Sequence, residues 1–177
     1  MQGRLAAVGF PWFVLFTTLT LHVGCADFLA SREADIKKAT QEIEHARDDN
    51  QRARALSSRG VAYSEKARYG RVTKQLPQKE CERLFDLAIK DLNQAVALAP
   101  NSSEVYFNRA QANYDRGNAE LLDNRQGNSW FATAAGDFET AVKLNPKDHL
   151  AWDRLGLTFE AEGKADKAIS AYTQDLL

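Results

Sequence analysis

The side chains in this chain best able to ligate a metal or act as a strong nucleophile are few and scattered. Its three histidines, His22, His45 and His149, and two cysteines, Cys25 and Cys81, share no metal-ligand spacing. No Ser/His/Asp order, glycine-rich phosphate loop or paired-carboxylate motif stands out from the charges expected on helix surfaces, so no catalytic residue is assigned and no metal or cofactor is expected. Cys81, with Lys79 and Arg83 nearby, is the one candidate for a reactive thiol. A packed cysteine is the commoner use of such a residue. With no chemistry of its own in sight, the chain has to act through its surface.

Charge is the next signal. Across 177 residues the formal net charge is −1, which argues against bulk nucleic-acid binding. That near-neutral total hides an uneven distribution. Between Arg52 and Lys79 stand Arg52, Arg54, Arg59, Lys66, Arg68, Arg71, Lys74 and Lys79 against the single acid Glu65, whereas residues 80–177 carry an excess of acids. A basic segment of this kind, centred on Arg68, Arg71 and Lys74, suits an anionic lipid headgroup, an acidic protein or a glycan.

Residues 1–26 differ from the rest. Arg4 precedes a run with no Asp, Glu, Lys or Arg from Leu5 to Ala26, and acids begin at Asp27. A basic start, an apolar middle and a small-residue end make an export signal, oriented with the remainder outside. Three fates fit it. "HVGC" resembles the bacterial lipoprotein box, which implies lipidation of Cys25, although His22 stands where that family prefers leucine. "GCA" also suits cleavage after Ala26, and the run is barely long enough to remain as an uncleaved anchor.

The elements that position the surface are read from internal repetition. "AVALAPNSSEVYFNRA" (95–110) returns forty-six residues later as "AVKLNPKDHLAWDRLG" (141–156). At the C-terminal end Trp152, Leu155, Gly156, Phe159, Ala168 and Tyr172 follow one another at set spacings, and this resembles the tetratricopeptide repeat. The pattern packs two antiparallel helices. Small residues allow close approach, and aromatics fill the space between hairpins. Tyr106, Ala110, Ala134, Phe138, Ala141 and Pro146 make a second copy, with departures at Arg109 and Asn113 and with Tyr114 beside the aromatic slot. Leu56, Gly60, Tyr63, Ala88, Leu92, Ala95 and Pro100 make a third.

The resemblance implies an all-α fold, a right-handed α-solenoid of antiparallel helix pairs. Repeats are expected over about 53–102, 103–148 and 149–177 within a domain of 52–177. Residues 27–51 are expected to be a capping helix or half repeat, with an amphipathic helix over 31–49. Pro100 and Pro146 close second helices, "NSSE" (101–104) reads as a capping box, Asp148 caps the following helix, and Pro77 with Glu80 opens another.

The family period is 34 residues, yet Leu56 and Tyr106 are fifty apart and Tyr106 and Trp152 forty-six. The excess falls between the helices of a pair, around "RYGRVTKQLPQKECER" and "NAELLDNRQGNS", and loops on one edge are expected there. The family binds extended segments or helices in the groove lined by first helices. That implies Arg54, Ser57, Val61 and Ser64, then Phe107, Asn108, Gln111 and Tyr114, then Asp153, Arg154, Leu157 and Glu160 as groove residues. Asn108 and Arg154 match two places of the carboxylate clamp known in some members, while Ser57, Val61 and Leu150 do not.

The reading is a non-catalytic, exported and membrane-attached scaffold that holds a protein partner in an envelope assembly. It sits on the periplasmic side, anchored or secreted, and binds no nucleic acid. In layout it resembles small tetratricopeptide lipoproteins of outer-membrane and pilus assembly. Leu176 and Leu177 close the last helix without a cap, which suggests either self-association through that end or docking of another protein there. The alternative is a surface-binding module whose basic segment 52–79 engages anionic lipid or glycan.

Overall fold

The protein is described by a computed structural model. It describes the backbone of residues 12–123 and 125–175, and the side chains of 27–123 and 125–174. Among the described residues all regular structure is helical: α1 (Trp12–His45), α2 (Asp49–Val72), α3 (Gln78–Leu98), α4 (Ser103–Leu122), α5 (Asn128–Leu144), α6 (His149–Ala161) and α7 (Ala165–Asp175). α2/α3, α4/α5 and α6/α7 pair into hairpins that stack in chain order, and α1 packs on α2. This is the expected α-solenoid.

Capping explains where the helices begin. Asp48 accepts from Gln51 N, Ser102 from Val105 N and Asp148 from Ala151 N, each supplying an acceptor to an otherwise unpaired first-turn amide. The box read over 101–104 is therefore capped by Ser102, one residue past Asn101. The helix expected over 31–49 ends at His45, and residues 46–48 separate it from α2. Export, cleavage and lipidation at Cys25 concern side chains outside the described residues, as does the role given to Leu176 and Leu177. Among the described residues no helix is long and apolar enough to cross a membrane.

The expected long loops are helix instead. α6, in the repeat without an insertion, ends nine residues after Trp152; α2 and α4 each run seven residues further past Leu56 and Tyr106. α3 starts seven residues earlier relative to Ala88, and α5 three earlier relative to Ala134, than α7 does relative to Ala168. What remains is a connection of five residues in each case, 73–77 and 123–127, against three between α6 and α7. The extra turns hold because they bury a core of their own. Ala67, Cys81, Leu84 and Phe85 are buried together against Tyr63, Leu76 and Ala119.

The main core runs through the other two hairpins, with Ala110, Ala134, Phe138, Ala151, Leu155, Phe159 and Ala168 buried and Phe107, Tyr114, Trp152 and Tyr172 packed on them. Phe131 and Phe138 are fully buried, and truncating either to Ala is expected to cost about 3–5 kcal/mol.

The departure at Arg109 has a structural reason, and Arg59 in the first repeat shares it. Where the third repeat closes its helix pair with Leu155 on α6 and Ala171 on α7, the first two use an arginine on the first helix and an aspartate on the second. Arg109 donates from Nε and Nη2 to Asp137 at 2.8 and 2.7 Å, and from Nη1 to Asn93 at 2.9 Å. Arg59 does the same with Asp91 at 2.7 and 2.9 Å, and reaches Thr40 on α1 at 3.2 Å. Asp91 and Asp137 are buried. Removing one partner of such a pair strands the other charge, whereas replacing both with apolar groups need not cost stability. Asp137→Ala should therefore lower the unfolding free energy by about 3 kcal/mol, and adding Arg109→Leu, which copies the third repeat, should restore most of that in urea unfolding. A double variant no more stable than the single one would contradict this account of the seam.

Candidate functional site

The first helices of the three hairpins, α2, α4 and α6, enclose a cavity of about 400 Å³. Of the residues expected in the groove, Val61, Ser64, Phe107, Asn108, Gln111, Tyr114 and Arg154 line it. Helix periodicity places Asn108, Gln111 and Asp115 on one face of α4, and Arg154 comes from the adjoining α6. A second depression of about 380 Å³ shares Val61 and Asn108 with the first and is bounded by Arg32, Lys38 and Glu42 of α1. The two form one channel along α2, with α1 as part of its wall.

Other expected positions do not line the first cavity, although Ser57 borders the second depression. Ser57 is buried in the wall, where its hydroxyl accepts from Asn108 Nδ2 at 3.0 Å, so that donor is already engaged within the protein. Arg54 borders a separate hollow with Glu42 and His45. Asp153 and Leu157 are half-buried and do not border the cavity, and Glu160 is exposed. Phe107 and Tyr114 divide their surface between groove and core, since their rings meet those of Phe138 and Phe131 at 5.5 Å.

Asp115, Glu65 and Arg68 were not among the expected groove residues, and with Arg154 they give the cavity its charge. Asp115 is 7% exposed; its carboxylate accepts from Gln111 Nε2 at 3.0 Å and lies 3.5 Å from Arg68 Nε. Burial raises its pKa to about 6, opposed by the charge of Arg68, the Gln111 hydrogen bond and the charge of Arg154. Its signal in the sequence was its place one turn beyond Gln111 on the groove face. Two buried polar atoms on residues that line the cavity, Ser64 Oγ and Arg154 Nε, have no hydrogen-bond partner among the described residues. Buried donors and acceptors are rarely left so.

Half of the basic residues of segment 52–79 are engaged by acids of the protein, while Arg52, Arg54, Lys74 and Lys79 are exposed. Arg59 pairs with Asp91, Lys66 with Glu33, Arg68 with Asp115, and Arg71 with Asp123. Of the expected patch, Arg68 belongs to the groove, Arg71 ties α2 to the end of α4, and Lys74 stands exposed in the connection with φ 57°.

Cys81 is 2% exposed, and burial pushes its thiol pKa up, the opposite of what a nucleophile needs. Among the described residues no group of three His, Cys, Asp or Glu is arranged to hold a metal ion.

Residues 82–121 and 123–177 match the family model described as tetratricopeptide repeat. The small glutamine-rich tetratricopeptide repeat-containing protein 2 of Saccharomyces cerevisiae is 29% identical over 92 residues, 52% of this chain and 23% of its own length. The chain thus spans less than a quarter of that curated relative. Among solved structures, MamA MSR-1 C2 is similar with a TM-score of 0.53 at 18% identity, over 82% of this chain and 66% of that one. A crystal structure of MamA aligns over 82% of this chain and 76% of that one, with a TM-score of 0.44 and 16% identity. At such identities only the fold is shared, and the first of these shows it.

Asp115 makes the groove sensitive to pH. Its carboxyl titrates at about 6 in the folded chain, against 3.8 as its ordinary value. The folded state therefore holds the proton more tightly, and stability falls as pH rises from about 4 through 6. The size expected from this group is on the order of 2–3 kcal/mol. Asp115→Asn should flatten that part of the curve in urea unfolding between pH 4 and 7.5. An unchanged difference between variant and wild type across that range would contradict the burial of a titrating carboxyl there.

Proposed function

The chain belongs to the tetratricopeptide repeat family, and from that premise we propose that it is a membrane-attached scaffold, which holds an extended segment or a helix of a protein partner in the channel along α2, α4 and α6. Its work is protein–protein interaction rather than catalysis. The observation that carries this reading is the cavity itself, where apolar Val61, Phe107, Tyr114 and Leu150 alternate with the hydrogen-bonding groups of Gln111, Arg154 and Ser64, two of them with buried polar atoms that lack a partner among the described residues. Apolar surface with a few convergent polar groups is the usual make-up of a binding cleft. A partner's main chain would pair with the accessible polar groups of Gln111 and the Arg154 guanidinium, while its apolar side chains cover the rings.

Attachment is supported by the uncharged run Leu5–Ala26 between Arg4 and the acids from Asp27 onward, whether by lipidation of Cys25 or through the run itself. That placement leads to the envelope assembly as the setting, on the periplasmic side.

A photo-crosslinking amino acid at Leu150, which is 51% exposed and borders the cavity, reports the occupant in native membranes, with Lys90 on α3 as a control position. A discrete adduct is expected from Leu150, and Arg154→Glu should reduce it by about tenfold, the effect of losing one charged hydrogen bond. Equal adducts from Lys90, or indifference to Arg154→Glu, would contradict the groove as the binding site. Phe107 and Tyr114 are unsuitable for this test because their truncation also opens the core.

A further inference from the structure

We propose that the edge formed by the ends of α2 and α4 rests on the lipid surface that holds the N-terminal segment. This builds on the attachment reading above and assigns it a second contact, made by the folded domain itself.

The placement follows from how α1 meets α2. The Phe28 ring lies 4.2 Å from that of Tyr69, Arg32 pairs with Glu65, Glu33 with Lys66, and Thr40 accepts from Arg59. Partners fall along α2 as they rise along α1, so the two helices are antiparallel. The part of α1 just before Phe28, where the uncharged run Leu5–Ala26 ends, therefore lies beside the end of α2 at Val72. The end of α4 joins the same edge, since Arg71 pairs with Asp123. The acid's other oxygen lies 3.3 Å from Arg125 Nη2.

Three large aliphatic side chains are exposed there: Val72 at 64%, Leu121 at 49% and Leu122 at 59%. Val72 and Leu122 are each one residue from the Arg71–Asp123 pair. Around them stand Lys74 in the connection and Lys79 at the start of α3, both exposed, with Arg125 beyond the end of α4. Arg125 is held by Glu82 and Asp123, so the exposed cations that accompany the aliphatic side chains are Lys74 and Lys79, a combination that an interfacial segment presents to an anionic bilayer. The corresponding turn of the third hairpin, Glu162–Gly163–Lys164, carries no aliphatic residue and closes on its own ion pair. The feature belongs to the lengthened repeats alone. It also gives the lengthening a use, which is to carry the hairpin ends to the membrane at the root of the anchor.

The test uses the full chain with Cys25→Ser, reconstituted into vesicles of phosphatidylcholine and phosphatidylglycerol. Buried Cys81 is left in place. An environment-sensitive fluorophore is attached at a cysteine introduced singly at Val72, Leu122, Ile169 or Phe16, in variants that keep wild-type helicity, and nitroxide lipids act as quencher. Quenching at Val72 and Leu122 should exceed that at Ile169 on α7 by at least about twofold, with Phe16 quenched as well. If Phe16 is quenched while Val72 and Leu122 behave like Ile169, the lipid contact is overturned and attachment stands. If Phe16 is not quenched either, attachment through the uncharged run itself falls, and the contact proposed beside it falls too. A blue shift at Val72 and Leu122 without nitroxide quenching would assign the edge to a protein and also overturn the proposal.

Discussion

Each hairpin closes where its first helix carries a glycine or an alanine, too small to hold its partner away. A Cβ on Gly60 would lie 2.7 Å from Leu92 Cγ and 3.1 Å from the Ala88 carbonyl oxygen, and one on Gly156 would lie 2.3 Å from the Tyr172 ring. Between them, Ala110 and Ala134 meet with no exposed surface in the second repeat. These contacts fix the distance between paired helices and so leave α2, α4 and α6 side by side. The groove is what those three helices enclose, and its depth follows from that distance.

Charge completes what shape begins. The seam is closed by Arg59 with Asp91, by Arg109 with Asp137, and by Leu155 with Ala171, so the same geometry accepts an ion pair or an apolar contact. Desolvation offsets much of the attraction in such pairs, and the third repeat shows that the closure does not require one. The pairs also join neighbours, since Arg59 reaches α1 and Arg109 reaches α3. Arg71 with Asp123 and Arg125 with Glu82 do the same between the lengthened parts of the first and second repeats. A chain with almost no net charge thus uses its uneven distribution as bonds between helices.

The fold was legible because it depends on side-chain size at fixed spacing. Gly60, Gly156, Ala168, Phe138 and the prolines at 100 and 146 mark helix pairs and their junctions. The insertions were misread as loops because their helical signal is small residues, Ala67 and Gly70, buried beneath charged ones. Arg68 and Arg71 likewise read as a patch, because their partners Asp115 and Asp123 lie 47 and 52 residues away in sequence. No local charge count can see that pairing. Half of the groove was visible from the face of a repeating first helix, as with Val61, Phe107, Gln111 and Arg154. Asp115 and the contribution of α1 needed the folded chain.

Both groove and edge depend on sequence beyond the family period being built as helix. Amide hydrogen exchange of the full chain measures this directly. Residues 66–72 and 116–120 should exchange slowly, with protection of at least about a hundredfold over an unstructured chain, as expected of amides in packed helix. Exchange there at the rate of an open loop, with protection confined to residues 56–65 and 106–115, would contradict it.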